Sequence, residues 1–452
     1  MRSARVQVFL RIRPLSESEQ DDAVLTLAPQ GAAQLTLTTP PTPNDAIKFV
    51  EVLDGIQVPK SKPVKSRTFN GLSGTFREDS TNADVFAPVV SPLVGEAING
   101  RTGCCFAYGH TGSGKTHTIL GYGDEPGLYR LASARLFQAI DAANAAIDNP
   151  EDVLQVQVRF NEIYNGDVYD LLNDRAKCFV REDELGKVHI RSATTTTEDG
   201  LVTTTSSTVV RAVDLNDLVA IVNTGLQARR TGHSNVHLAS SRSHAVLEIE
   251  IVTAKLLAMR AALERAQAET TAIGHARDTL DMAIFVQQHE QIEGKWIARP
   301  EAVGPSEAEV AALADFNARF LDMQDAMHDM LGAEKALLAS SSSVGGALVF
   351  VDLAGSEHAG SAADGIVKTE TEQNECREIN KSLSALQACF RAQAKNLAST
   401  STYRSSKLTM VLRDHLRSAG STTRMIATLS PSAVHTSQTI QTLQYAQLVG
   451  QA

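Results

Sequence analysis

No run of about 18 apolar residues occurs in this 452-residue chain, so no membrane-spanning helix is expected. Cysteine is sparse and unpatterned. Cys104, Cys105, Cys178, Cys376 and Cys389 show neither zinc nor disulfide spacing, and an odd, scattered set fits a reducing compartment. Positive charge is in deficit as well: 42 Lys plus Arg stand against 52 Asp plus Glu, a net charge of −10. That balance argues against a nucleic-acid partner and leaves an acidic partner only a locally basic face. The N-terminal stretch 1–14 is too interrupted by arginine for a signal peptide. These absences point to a cytoplasmic protein. What is present, 43% hydrophobic and 21% charged residues, is a globular composition long enough for one large domain or two ordinary ones.

Hydrophobic periodicity predicts strands over 5–13, Gly103–Tyr108, Val153–Ile163, Ala245–Ala254, Ala347–Leu353 and Arg424–Leu429. The run Ala347–Leu353 (ALVFVDL) is continuously apolar, as in a strand buried on both faces. Helices are predicted over 128–147, Leu215–Arg230, Glu370–Ala394, Lys407–Arg417 and Thr436–Leu448, and Val168–Leu172 has helical spacing. The stretch 29–67 holds six prolines and reads as a surface excursion. Alternating strands and helices predict an α/β domain with a mixed, mostly parallel central sheet flanked by helices. Residues 255–338 break the alternation. They are rich in Ala, Leu, Glu, Gln and Met, with Gly294, Pro300, Gly304 and Pro305 at the centre. This predicts a helical hairpin, returning by 343, inserted between two neighbouring strands. It is expected to pack on its parent domain, with a docking platform for a partner as the sharper alternative.

Three local patterns carry chemistry. Gly109-His110-Thr111-Gly112-Ser113-Gly114-Lys115-Thr116 fits G-x-x-x-x-G-K-[ST] behind an apolar strand. Its glycines let backbone N–H groups turn toward phosphate oxygens, a helix N-terminus adds its dipole, Lys115 supplies a point charge and Thr116 a metal ligand. Asp352 ends the buried strand and opens Asp352-Leu353-Ala354-Gly355-Ser356-Glu357, where a carboxylate can hold a metal-bound water and Gly355 can approach a terminal phosphate. Ser240-Ser241-Arg242-Ser243-His244 offers two hydroxyls and a guanidinium able to pair bidentately with a carboxylate.

In this order the three pieces resemble the P-loop, switch I and switch II of kinesin motor domains. Further matches run through nearly the whole chain outside the helical insertion. They are Arg11-Ile12-Arg13-Pro14, Asn161-Glu162-Ile163-Tyr164-Asn165, Asn380-Lys381-Ser382-Leu383-Ser384-Ala385-Leu386 and Tyr403-Arg404-Ser405-Ser406-Lys407-Leu408-Thr409. The resemblance implies a P-loop NTPase motor fold over 1–452, with 255–343 inserted. It implies ATP and Mg²⁺ as cofactors and microtubules as partner, on the cytoskeleton and spindle. Arg11, Arg13 and Pro14 would border the adenine, and the loop with His117 would complete the nucleotide set. Thr116 and Ser241 would ligate the metal directly and Asp352 through water. Ser240 and Ser241 would position the attacking water, Gly355 would sense the γ-phosphate, and Arg242 would pair with Glu357 to close the site. Lys381, Arg404 and Lys407 would meet tubulin, with Arg391 and Arg413 as further candidates.

The chain departs from the family pattern at His110, where glutamine is usual, and at His237, where switch I usually has asparagine. Several motifs look most like the internal-motor, microtubule-depolymerising class, although its Lys-Val-Asp triplet is missing from 39–67. A microtubule-binding adaptor with weak ATP turnover is the alternative function. A GTPase is disfavoured by the absence of N-K-x-D. The end at Ala452, just past the last matching helix, suggests a motor fragment.

Overall fold

The computed structural model describes residues 6–451 apart from 20–24, 30–33, 39–49, 54–55, 60–65, 183–185, 193–194, 197–201, 204–205, 232–240, 357–368, 396 and 418–419. Eleven strands form one sheet. In chain order they are β1 (Gln7–Ile12), β2 (Gly74–Phe76), β3 (Thr102–Tyr108), β4 (Gln155–Tyr164), β5 (Asp167–Asp170), β6 (Ala176–Glu182), β7 (Val188–Arg191), β8 (Val210–Ala212), β9 (His244–Val252), β10 (Ala347–Asp352) and β11 (Thr422–Leu429). Their spatial order is β7-β6-β5-β4-β9-β10-β3-β11-β1-β2, with β8 beside β4. The run β10-β3-β11-β1-β2 is parallel. From β10 outward through β9, β4, β5, β6 and β7 the pairing is antiparallel. The sheet is therefore mixed, as the sequence predicts, and its parallel half carries the phosphate loop.

Helices cover both faces, which is why the central strands can be apolar throughout. Along β10, Val349 and Val351 point into one core and Leu348 and Phe350 into the other, the two-residue period of a strand. The first core packs against α7 (Glu370–Ala394), α8 (Lys407–Arg417) and α9 (Thr436–Gly450). There Phe106 stacks on Phe390 at 5.6 Å and Tyr108 on Tyr445 at 4.0 Å. The second packs against α1 (Ser91–Ile98), α3 (Leu128–Asn144) and α4 (Leu215–Thr231). Between β3 and α3 sits the short helix α2 (Lys115–Leu120), which begins at the end of the phosphate loop. Cys104 and Cys105 lie back to back on β3, one in each core, and burial pushes the Cys104 thiol up to about 12. They are packing residues.

The helix expected over Val168–Leu172 is instead strand β5. Asn165 and Gly166 both have positive φ, 50° and 81°, and close a two-residue hairpin between β4 and β5. That Asn-Gly turn dictates a returning strand and overrides the local helical spacing. The segment Asn82–Ile98 is helical through both its prolines: Pro88 lies in a π-turn at Phe86–Val90 and Pro92 in the first turn of α1.

Two long helices, α5 (Ala254–Gln288) and α6 (Glu307–Ser340), connect β9 to its antiparallel neighbour β10. The Pro/Gly turn expected between them is more structured than the sequence suggests. His289–Ile292 pairs with Lys295–Ala298 as a small ribbon around Gly294, and Ser306 with Glu309 forms a capping box that starts α6. At the hairpin's base, Arg260 of α5 makes two hydrogen bonds to Glu250 of β9, 2.8 and 3.0 Å, and one to Glu334 of α6 at 2.9 Å. Burial pushes the Glu250 carboxyl up, but Arg260, with Arg159 and Lys187 adding, more than offsets this and holds it below the usual range. In Arg260→Met both carboxylates lose that partner. Amide exchange at the first turns of α5 and the last turns of α6 should rise about tenfold or more, with β10 amides unchanged, in hydrogen-exchange mass spectrometry.

Candidate nucleotide-binding site

The loop Gly109–Gly114 leaves the end of β3 at the parallel half of the sheet, where a strand-to-helix turn presents backbone N–H groups. Two glycines are sterically required. A Cβ on Gly109 would lie 2.5 Å from the Thr428 carbonyl and from Ser113 Oγ, and Gly114 caps α2 with φ +100°. Ser113 is buried and its hydroxyl bonds Thr428 at 2.7 Å, which ties the loop to β11. Lys115 Nζ lies inside the loop, held by the carbonyls of Gly109 (3.0 Å) and His110 (2.9 Å).

Asp352 stands at the end of β10, beside the phosphate loop. Asp352 is 1% exposed, and its Oδ2 accepts from Thr116 Oγ1 at 2.9 Å and from Arg229 Nη1 at 3.0 Å. Its Oδ1 is buried and receives no donor among the described residues. A hydroxyl and a carboxylate oxygen with spare lone pairs, beside a lysine-bearing phosphate loop, are the donor set that suits a hydrated Mg²⁺. The residues present therefore fit Mg²⁺ and a nucleoside triphosphate.

Switch I and switch II meet at backbone level. Gly355 N–H donates to the Ser241 carbonyl at 2.8 Å, and Ser356 N–H donates to the Gly109 carbonyl at 3.2 Å. Among the described residues, Arg242 pairs with α7. Its Nη1 bonds Glu375 at 2.7 Å and its Nη2 bonds Glu372 at 3.0 Å, both on the first turns of α7. Glu375 also takes the Tyr164 hydroxyl. The expected partner Glu357 lies outside the described residues, as do Ser240 and His237.

At the expected adenine side, Arg13 pairs with Glu19 through two 2.6 Å bonds and lies against Gly114. Arg11 is buried, and its guanidinium bonds Asn82, Thr118 (2.9 Å) and the Ser80 carbonyl (3.1 Å). It braces the site wall through α2. His110 is 2% exposed, and neither ring nitrogen has a hydrogen-bond partner among the described residues. Its ring lies 4.6 Å from that of His435, which itself sits 3.4 Å from Glu19. His117 is half-buried and 3.0 Å from Glu125.

Sequence reading missed Arg229, which sits on the last turn of α4. Besides Asp352 it binds Ser243 Oγ (3.1 Å), the Ser243 carbonyl (2.8 Å) and approaches Glu162 at 3.8 Å. Glu162 also takes Arg175 at 2.7 Å. The local signal was weak, an Arg-Arg pair at a helix end, where cations are ordinary. Lys381, Arg404 and Lys407 line one cleft of about 210 Å³, with Arg242 at its inner wall. Lys381 and Arg404 are exposed, paired with Glu378 and Glu182. Arg413 does not join them. It is buried and ion-paired to Glu182 at 3.0 Å, because α8 turns that face toward β6.

A phosphate-loop nucleotide site on a mixed sheet, with two further loops converging on the metal side, defines a P-loop nucleotide-binding protein. The family model "Kinesin motor domain" matches residues 11–269 and 330–452, and the chain belongs to that family. Kinesin-like protein KIF24 of Homo sapiens is 31% identical over 374 residues, 83% of this chain and 19% of the relative. Kinesin-like protein KIN-8A of Oryza sativa subsp. japonica is 26% identical over 446 residues, 98% of this chain and 42% of the relative. The chain thus spans between about a fifth and two fifths of these relatives. Among solved structures, that of a fast kinesin has TM-score 0.61 at 21% identity, covering 99% of this chain and 92% of that one. A KIF14 dimer with AMP-PNP in complex with a microtubule has TM-score 0.60 at 20% identity, covering 99% and 94%.

Arg229→Ala should lower unfolding free energy by about 3–5 kcal/mol, because two buried carboxylates lose a cation. Arg229→Lys should recover under half of that, since one ammonium cannot serve Asp352, Glu162 and Ser243 together. Urea titration checks both. Acid sensitivity has a defined sign. Burial pushes His110 and His244 down to about 3, with His435, Lys115 and Arg13 adding at His110, and Arg229 and Lys115 at His244. Both are neutral when folded, while the unfolded chain takes up their protons below about pH 6.5. Stability is therefore full above pH 6.5 and lost as pH falls, by about 3 kcal/mol for the two at pH 5.5. In His110→Gln that increment should halve when urea midpoints at pH 7.5 and 5.5 are compared.

Proposed function

We propose that this chain is a microtubule-binding ATPase motor domain. The observation that carries the reading is the Thr116–Asp352 pair at 2.9 Å, with Asp352 Oδ1 unpartnered beside the Lys115 loop. In this reading Gly109–Gly114 wraps the β- and γ-phosphates with backbone N–H groups, and Lys115 turns from its loop carbonyls to the phosphate oxygens. Mg²⁺, when bound, neutralises charge across the β- and γ-phosphates. Thr116 and Ser241 hold it by their hydroxyls and Asp352 through a water. Arg229 fixes the orientation of Asp352, as an outer partner fixes a metal ligand. Ser240 and Ser241 orient the attacking water, Gly355 N–H reports the γ-phosphate, and Arg242 passes from Glu372 and Glu375 to Glu357 as the site closes. Arg13 and Pro14 border the base. Hydrolysis in this scheme is positioning and charge stabilisation.

Lys381, Arg404 and Lys407 form the tubulin contact. They gather at one cleft on a chain that is otherwise net acidic, so an acidic filament meets a locally basic face. The protein would act in the cytoplasm on the microtubule cytoskeleton. The motifs around Ser240–Val246 and Arg424–Pro431 favour the depolymerising class. The hairpin, from 255 to 343, is an insertion in the motor domain. It packs at its base on β9 and presents Trp296, Ile297 and Val303 exposed near its tip, where a partner could dock. The adaptor alternative draws no support from the family match, which spans residues 11–269 and 330–452.

Phosphate release with and without microtubules tests the reading. Stimulation of about tenfold or more, abolished in Lys115→Ala, is expected. Binding to microtubules without stimulation would restore the adaptor. Shortening of stabilised filaments by the same protein with ATP supports depolymerisation, and unchanged lengths reject it.

A further inference from the structure

His244 opens β9, is fully enclosed, and is not one of the groups assigned to the nucleotide. Its Nδ1 accepts the Ala354 backbone N–H at 3.0 Å. A ring nitrogen that accepts is bare, so in the neutral imidazole the proton sits on Nε2. Nε2 lies 2.7 Å from Ser382 Oγ and donates to it, and the Ser382 hydroxyl donates to the Ile379 carbonyl at 2.7 Å. The result is a one-way chain of hydrogen bonds from the loop after Asp352 to the middle of α7. Its far end reaches the chemistry directly, because the next two residues bridge the other loops, Gly355 to Ser241 and Ser356 to Gly109.

Helix α7 is also tied to switch I by Arg242–Glu372 and Arg242–Glu375. The Glu372 pair is partly exposed, so water can replace it at little cost, whereas Glu375 is buried. The histidine chain is buried from end to end. Separating it leaves a donor and an acceptor unsatisfied, so the two ends move together. We propose that His244 is a positioning residue: its imidazole transmits the placement of α7 to the Ala354–Ser356 loop, so that a filament bound on α7 acts on the nucleotide site through Ser382 and His244. This rests on the reading that α7 faces the microtubule.

Three variants of the full chain separate the parts. Ser382→Ala removes the acceptor of Nε2–H. Ser382→Thr restores a hydroxyl. His244→Asn keeps an acceptor for Ala354 N–H but is too short to reach Ser382. Microtubule-stimulated over basal ATP turnover should fall about tenfold in Ser382→Ala and in His244→Asn, the scale of one buried hydrogen bond, and the double variant should be no worse than either. Ser382→Thr should regain most of the ratio, and the half-saturating microtubule concentration should change by less than about threefold, which separates transmission from binding. Long-range ¹⁵N correlation spectra should show one bare and one protonated nitrogen for His244, with the protonated one shifting in Ser382→Ala. Unchanged stimulation in Ser382→Ala, additive losses in the double variant, or equal shifts at both nitrogens overturns the relay. Absence of stimulation in the unsubstituted protein overturns the microtubule reading itself and the relay with it. Failure of the relay alone appears instead against normal wild-type stimulation.

Discussion

The site is organised around one buried guanidinium, that of Arg229. It touches Asp352 at the end of β10 and Ser243 beside the start of β9, and lies close to Glu162 near the end of β4. Burying carboxylates is costly unless a cation and hydrogen bonds accompany them. Arginine suits the place because its planar fork can serve three directions at once, which an ammonium cannot. Thr116 joins the same carboxylate from α2, so the helix after the phosphate loop, Asp352 and the segment at Ser243 share one electrostatic joint. A change in any of them is felt by the others through that joint.

The sheet makes such a joint possible. Its parallel half is sealed by helices on both faces, so the strand ends at β3 and β10 emerge side by side with little freedom. Loops leaving those ends can then be held by a few backbone contacts, such as Gly355 to Ser241 and Ser356 to Gly109. Such contacts are individually worth about 1 kcal/mol. That is enough to define a closed arrangement and weak enough for nucleotide or filament to change it. The pairing of Arg242 with α7 fits this picture, since its bond to Glu372 is partly solvated and exchangeable.

The two helices of the hairpin join β9 to β10, and the family match leaves out 270–329 within them. The hairpin is attached where it can do least harm to the sheet, between two strands that remain directly paired. Its anchor, Arg260 with Glu250 and Glu334, repeats on a smaller scale the arrangement at Arg229: a buried carboxylate on a core strand is paired with a guanidinium from a neighbouring helix.

The sequence by itself determined what depends on near neighbours in the chain. The strand, glycine-rich turn and helix of Gly109–Thr116 follow from residue types within a few positions, and so do the continuously apolar β10 and the two long helices of the hairpin. The resemblance in motif order was enough to identify the family. Tertiary structure decided what depends on residues far apart. Nothing local tells Arg229 from Arg230, yet only the first is buried against Asp352. Arg413 looked like a surface cation until the packing of α8 against β6 enclosed it. Asn165–Gly166 was a stronger local signal than the helical spacing after it, and it turned Asp167–Asp170 into a returning strand. His244 was legible as the end of a motif, but its task came from Ala354 and Ser382, 110 and 138 residues away. Periodicity and spacing record local backbone preferences. Ion-pair partners, burial of charge and hydrogen-bond direction depend on which distant elements share a volume, and only the folded chain decides that.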